Sequence, residues 1–197
     1  MATDLVLVRH ATSVVPTPGG PDEMTRPLRP EGLVQARDLV GELLALAPTA
    51  VASSPYLRAV QTVEPAARAL GLAVGTRWEL REWDSGLAPT PDYARHHVHR
   101  WEHPDEARPG AESIADLDRR VGAALARLAG EHDGGAVLVG THGTHGTFAA
   151  RALLAAGAEV DWPFLVAMPM PAVYVVRWDG GRGATAVRGP GLPLDRA

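Results

Sequence analysis

Neither cysteine nor lysine occurs anywhere in this chain of 197 residues. Without cysteine there are no disulfides, no thiolate zinc sites and no cysteine-phosphate chemistry. Without lysine there is neither a Schiff-base amine nor the lysine of a phosphate-binding loop. All 19 basic residues are therefore arginine, whose guanidinium stays charged and offers a planar fork to phosphate or carboxylate. Any anion this protein binds is expected to be held by arginine and backbone.

Long apolar runs are missing as well. None approaches the roughly 18 residues of a membrane span, and the first eight residues lack the basic lead-in of a secretory signal. The formal net charge of -4 gives no reason to expect a nucleic-acid or membrane-surface partner. A cytoplasmic protein is the expectation. Hydrophobic residues at 46% and charged residues at 21% are ordinary for a globular chain. The length suits one domain with a buried core.

What is present alternates between two periodicities. Residues 5–8 form a continuous apolar run, typical of a strand buried on both faces. After a Pro/Gly-rich loop at 15–21, Leu33, Ala36, Leu39, Val40, Leu43 and Leu44 repeat at helical steps. Residues 49–52 read as a second strand. Ser54-Pro55 then suits a helix start, with serine as cap and proline first, and that helix runs to about Leu70 and stops at Gly71. Further strands are expected at 73–76, 136–139, 173–177 and 184–188, the last two paired. Further helices are expected at 113–131 and 144–154. The pattern predicts an α/β fold, a three-layer α/β/α sandwich around a mostly parallel sheet. Residues 1–188 are expected to form its single domain. The irregular, histidine-rich segment 84–112 is expected to be a substrate-covering insertion, and 189–197 a flexible tail.

In such sheets ligands bind beyond the carboxyl ends of the strands. The first strand ends in Arg9-His10, the second leads through Ser53-Ser54-Pro55 to Arg58, and the third apolar strand ends in Thr141-His142-Gly143. Three strand exits thus deliver cationic or potentially cationic side chains to one edge. Arg58 falls in the first turn of its helix, where the positive dipole end disfavours a cation unless an anion lies between. Taken singly, Arg58 could be a solvated surface arginine and His10 a core histidine; together they point to an anion site. The run from Gly140 to Gly146 fails as a dinucleotide motif because His142 occupies the required glycine position, and it is better read as a helix start offering N–H groups to an oxyanion. His142 with His145, or the group His96, His97, His99 and His103, could in principle bind metal, but no carboxylate is spaced to complete the first pair. A general acid is sought near Trp83, whose indole would desolvate Glu82 and raise its pKa; Asp84 is the alternative. A Ser-His-Asp hydrolase is a remote alternative, since the G-x-S-x-G elbow is lacking.

Four ordered segments within residues 5–143 carry a family resemblance. Leu7-Val8-Arg9-His10-Ala11 resembles the Arg-His-Gly signature of the histidine phosphatase superfamily, the phosphoglycerate-mutase-like family. Arg26-Pro27-Leu28 with Glu31-Gly32 and Gln35-Ala36 resembles its second block. The run from Ser53 to Thr62 is the most specific match, and Val139 to Gly143 resembles the block of the second histidine. Departures include Ala11 for the usual glycine, Thr12, Pro16 for a common asparagine, and Thr141 for a common serine. Only Trp83-Asp84-Ser85-Gly86 follows Glu82 where a longer Gly-x-Trp-Glu-Gly run is familiar.

The resemblance implies a metal-independent phosphatase without cofactor, acting on a phosphorylated small molecule or phosphoprotein. His10 would be its nucleophile, passing through a phosphohistidine. Arg9, Arg58 and His142 would bind the phosphoryl group, and Glu82 would be the general acid. The alternatives are a phosphoglycerate mutase, disfavoured by the short chain and the absence of lysine, and a non-catalytic binder of phosphorylated ligands.

Overall fold

A computed structural model of the chain describes residues 1–88, 90, 93–143, 148–155, 158, 160, 162–180 and 182–192. Its elements run β1 (Ala2–Arg9), α1 (Pro30–Asp38), α2 (Val40–Ala45), β2 (Ala50–Ser53), α3 (Leu57–Leu70) and β3 (Val74–Thr76). A 3-10 turn (Trp78–Leu80) precedes α4 (Tyr93–Glu102), α5 (Ile114–Glu131), β4 (Ala136–Thr141), α6 (Phe148–Ala155), α7 (Trp162–Ala167), β5 (Ala172–Asp179) and β6 (Gly183–Arg188).

Six strands make one sheet in the order β3-β2-β4-β1-β5-β6. The first four in that order are parallel, while β5 and β6 add on as the expected antiparallel pair. The sheet is therefore mostly parallel. Successive residues of β1 face opposite sides. Leu5 and Leu7 join a cluster with Leu117, Val121 and Leu125 of α5. Val6 and Val8 join another with Leu43 of α2 and Val63, Ala66 and Ala67 of α3. Helices on both faces explain why β1 is apolar without alternation. Among the described residues, no helix is long and apolar enough to cross a membrane.

Four details differ from the sequence pattern. The helical run at 31–44 is two helices meeting at Leu39, and Leu33 is exposed while Gly32 and Ala36 turn inward. Helix α3 begins at Leu57, not at Pro55, because the Ser54 hydroxyl bonds the Tyr56 N–H and His142 instead of capping. The segment 84–112 contains the ten-residue helix α4, whose Trp101 packs on the core and lies under the Arg151 guanidinium, 5.0 Å from its ring centre. Leu192, in the expected tail, is buried against the core, while 193–197 lie outside the described residues. Residues 144–147, the expected oxyanion-binding helix start, also lie outside them.

Strand register places the site. Arg9 pairs with Thr141 across β1 and β4, and Ser53 pairs with Gly140 across β2 and β4. The carboxyl ends of three neighbouring strands therefore stop at one level.

Candidate active site

The turn leaving β1 is tied on several sides. The His10 N–H continues the ladder to the Thr141 carbonyl at 2.9 Å. The Ala11 N–H reaches Thr62 Oγ1 and the Thr12 N–H reaches Gln35 Oε1, each at 3.0 Å. Helix α1 presses its Gly32 onto this turn so closely that a Cβ would lie 2.0 Å from the Thr12 carbonyl oxygen. Only glycine permits that approach. The motif residues Gln35 and Thr62 thus act on the backbone around His10.

That backbone presents the His10 ring in one tautomer. Its Nδ1 lies 2.8 Å from the Ala11 carbonyl oxygen, which can only accept, so Nδ1 carries the proton and Nε2 keeps its lone pair. Burial, then the Arg58 guanidinium, with Arg9 and Arg26 adding, push the His10 pKa down to about 3. The ring is neutral at neutral pH. His142 stands edge-on to it with ring centres 5.4 Å apart, and edge-on to Tyr56 at 5.2 Å. His142 Nε2 lies 2.9 Å from Ser54 Oγ. Burial, then Arg58 and His10, hold its pKa well below the ordinary value.

Three buried arginines surround these rings. Arg9 donates through Nη1 to the carbonyls of Met168 and Pro169. Its side chain runs over Gly143, where a Cβ would lie 2.2 Å from Arg9 Cδ. Burial lowers its pKa to about 10, which still leaves it charged at neutral pH. Arg58, only 1% exposed, gives Nη1 to the Glu23 carbonyl at 2.6 Å and Nη2 to Glu23 Oε2 at 2.9 Å. Its guanidinium also lies 5.1 Å from the Tyr56 ring centre. Arg26 gives Nη1 to Ser13 Oγ and the Val14 carbonyl, and Nη2 to the same Glu23 Oε2. Burial, then neighbouring Arg26, lower the Arg58 pKa.

These side chains share an unusual feature. Among the described residues, the buried side-chain atoms lacking a hydrogen-bond partner are Arg9 Nε, Arg26 Nε, Arg58 Nε, His142 Nδ1 and the Tyr174 hydroxyl. Buried polar groups are normally satisfied, so a cluster of exceptions calls for a reason. Four of the five belong to the residues around His10, and the three arginine atoms are N–H donors. Such a set suits an anion with several acceptor oxygens.

Glu82 follows the 3-10 turn and comes to the same place. Its Oε1 accepts the Trp83 N–H at 2.9 Å, and its Oε2 lies 3.9 Å from His142 Nδ1. Burial raises its pKa to about 7 against the opposing pull of Arg58. Asp84, the other candidate acid, is exposed and accepts the Gly86 N–H at 3.2 Å. Away from these rings, His99 pairs with Glu106 at 3.1 Å and lies tilted against His103, with ring centres 4.5 Å apart. Among the described residues no group of three or more histidines or carboxylates is placed to hold a metal ion. His145 and the His97 side chain lie outside the described residues.

The structure brings together all five residues expected from the sequence: Arg9, His10, Arg58, Glu82 and His142. It adds Arg26, Glu23 and Ser54. Arg26 opens one of the motif blocks, and that was its only signal. Glu23 sits in a polar loop with no pattern to mark it, and the Ser54 hydroxyl reads from sequence as a helix cap.

A mostly parallel α/β sheet with a cationic site beyond its strand ends defines the class of molecule. Residues 5–188 match the model of the histidine phosphatase superfamily (branch 1), and the chain belongs to that superfamily. Solved structures agree in fold. A mycobacterial glucosyl-3-phosphoglycerate phosphatase is 21% identical, with 96% of this chain and 98% of that one covered at a TM-score of 0.72. A phosphoglycerate mutase from Thermus thermophilus is 26% identical, covering 98% of this chain and 99% of that one at a TM-score of 0.62. A protein described as mycobacterial hydrolase 1 is 21% identical, covering 98% of each chain at a TM-score of 0.74.

Proposed function

We propose that this protein is a metal-independent phosphomonoester phosphatase working through a phosphohistidine at His10. The observation that carries the reading is the set of unpartnered buried atoms on Arg9, Arg26, Arg58 and His142 around a neutral ring with its Nε2 lone pair free. Family membership supports it.

In the first step His10 Nε2 attacks phosphorus, the bond to the ester oxygen breaks, and the Glu82 carboxyl passes its proton to that oxygen. In the second step the Glu82 carboxylate takes a proton from water as the water oxygen attacks phosphorus. The N–P bond breaks, the electron pair returns to His10, and inorganic phosphate leaves. Splitting the displacement in two lets a fixed site serve both halves. The guanidiniums and His142 stabilise the transferring oxygens in a dry site, where such charges act strongly. A Glu82 pKa of about 7 lets the group be acid and base in turn.

Turnover of p-nitrophenyl phosphate, unaffected by EDTA, with radiolabel from a labelled phosphomonoester retained on rapidly quenched wild type but not on His10→Ala, is the expected result. Undiminished turnover by His10→Ala defeats the proposal. Interconversion of 3- and 2-phosphoglycerate exceeding hydrolysis would favour the mutase reading. Phosphate binding with no phosphoenzyme would favour a non-catalytic binder.

A further inference from the structure

Arg120, on α5, differs from the arginines around His10 in one respect: every N–H it has is used inside the protein. An arginine has five such donors. Nε and Nη2 grip the two carboxylate oxygens of Glu112, each at 2.7 Å. Nη1 reaches the carbonyls of Glu79 at 2.8 Å and Arg81 at 2.9 Å, and Nη2 reaches the Glu82 carbonyl at 3.4 Å. Both side chains of the pair are nearly buried, 12% and 9% exposed. This guanidinium has nothing left to offer a substrate.

Glu112 completes the arrangement from the other side. Its carbonyl accepts the Trp83 indole N–H at 2.7 Å, and its N–H donates to the Asp84 carbonyl at 2.9 Å. Residues 79, 81, 82, 83 and 84 are therefore all bonded to Arg120 or Glu112. The stretch 81–88 has no helix or strand of its own, so no backbone ladder fixes Glu82. A bidentate arginine-carboxylate pair is rigid in both distance and plane. Mounted on the eighteen-residue helix α5, it is a firm support for an otherwise irregular segment.

We propose that the Glu112–Arg120 pair is a positioning device that aims the Glu82 carboxyl for proton transfer. This role rests on the phosphatase reading. It predicts damage only to chemistry that needs the acid. The demand for an acid grows as the leaving oxygen becomes more basic, so esters of similar shape but different leaving groups separate aim from general loss of structure.

The experiment compares kcat/KM for p-nitrophenyl phosphate and phenyl phosphate in wild type, Arg120→Gln, Glu82→Gln and the double variant. Phenol is the poorer leaving group, with a pKa of about 10 like the tyrosine side chain. Arg120→Gln is expected to lose about 100-fold on phenyl phosphate and less than about 10-fold on p-nitrophenyl phosphate. Added to Glu82→Gln, it should cost little more. Glu112→Gln keeps the shape and the backbone bonds, and should show the same split to a smaller degree if Arg120→Gln does not fold. Equal losses on both esters, or full additivity with Glu82→Gln, overturn the positioning role alone. A folded wild type inactive on both esters overturns the phosphatase reading, and this role falls with it.

Discussion

Ser54 Oγ lies 2.9 Å from His142 Nε2, so a residue leaving β2 orients a ring leaving β4. The same hydroxyl accepts the Tyr56 N–H at 3.3 Å. With Ser54 as donor to Nε2, neutral His142 carries its proton on Nδ1, the ring atom without a hydrogen-bond partner. Ser54→Ala removes that control and leaves a buried ring nitrogen unsatisfied. Inorganic phosphate should then bind about 10-fold more weakly, the equivalent of about 1.4 kcal/mol and within the range for one buried hydrogen bond. Nitrogen-15 NMR of labelled histidine checks the cause, because the His142 ring shifts should move from a single tautomer toward a mixture. Unchanged shifts would refute the role given to Ser54.

Gly143 and Arg9 are coupled by contact. A Cβ at 143 would overlap Arg9 Cδ, Cγ and Nε at 2.2, 2.5 and 2.7 Å. The Arg9 side chain is buried between that glycine and its carbonyl partners, so it has little room to retreat. Gly143→Ala is therefore expected to displace the guanidinium, costing about 1–3 kcal/mol of stability by overpacking. Phosphate affinity should fall with it. Denaturant unfolding and phosphate titration measure the two effects. Wild-type values for both would show that Arg9 has space to move.

How much of the fold and site is legible in the sequence depends on where each residue sits. Arg9, His10 and His142 are readable because each ends or follows a strand marked by a continuous apolar run, and α/β sheets place ligands there. Arg58 is readable from its place in a helix's first turn. Glu23 is not, and Arg26 is marked only by its motif block, because both cross to the site from a loop whose conformation follows no periodicity. Helix α4 hides for a related reason: prolines flank it and its polar residues conceal the helical period around Val98 and Trp101. The start of α3 is misread because local propensity makes Ser54 a cap, whereas the tertiary fold gives its hydroxyl to His142. The sequence already favours Glu82 over Asp84 through its neighbour Trp83, and the fold separates the two carboxyls by burying only Glu82.

Glu82 should govern the pH response in two independent ways. With its pKa raised to about 7, the carboxyl is protonated below that pH and charged above it. As proton donor it predicts that kcat/KM falls as pH rises through about 7, and that Glu82→Gln loses this dependence along with about 100- to 10000-fold in rate on a poor leaving group. The ratio of wild type to variant cancels ionisation of the substrate. Stability follows the same group. Between 4.5 and about 7 the folded protein keeps a proton that the unfolded chain has lost, so this residue's contribution declines as pH rises across that window and is constant above it. Glu82→Gln should gain on wild type over the same window, by at most about 3 kcal/mol. Urea unfolding at both ends of the window checks it, and an equal difference at both ends would contradict the burial of this carboxyl.

Glu23 raises the question of what a carboxylate does among cations proposed to hold phosphate. One oxygen of its side chain bonds Arg26 and Arg58 together, each at 2.9 Å, and its carbonyl also holds Arg58. The side chain is 49% exposed, so its charge is partly screened and its ion pairs contribute modestly. For an arriving dianion, however, the carboxylate is a like charge beside the same guanidiniums. Glu23→Gln keeps an acceptor oxygen and the backbone bond but removes that charge. Without ligand it should unfold at slightly lower temperature, because two buried arginines lose their counter-charge. Inorganic phosphate should bind it about three- to tenfold more tightly, roughly 0.7–1.4 kcal/mol. Phosphate should therefore raise its melting temperature by more than it raises that of wild type. Calorimetric titration with parallel thermal scans measures both. Weaker phosphate binding by Glu23→Gln would mean that the carboxylate chiefly holds the arginines in position, and that its repulsion of the incoming anion is the smaller effect.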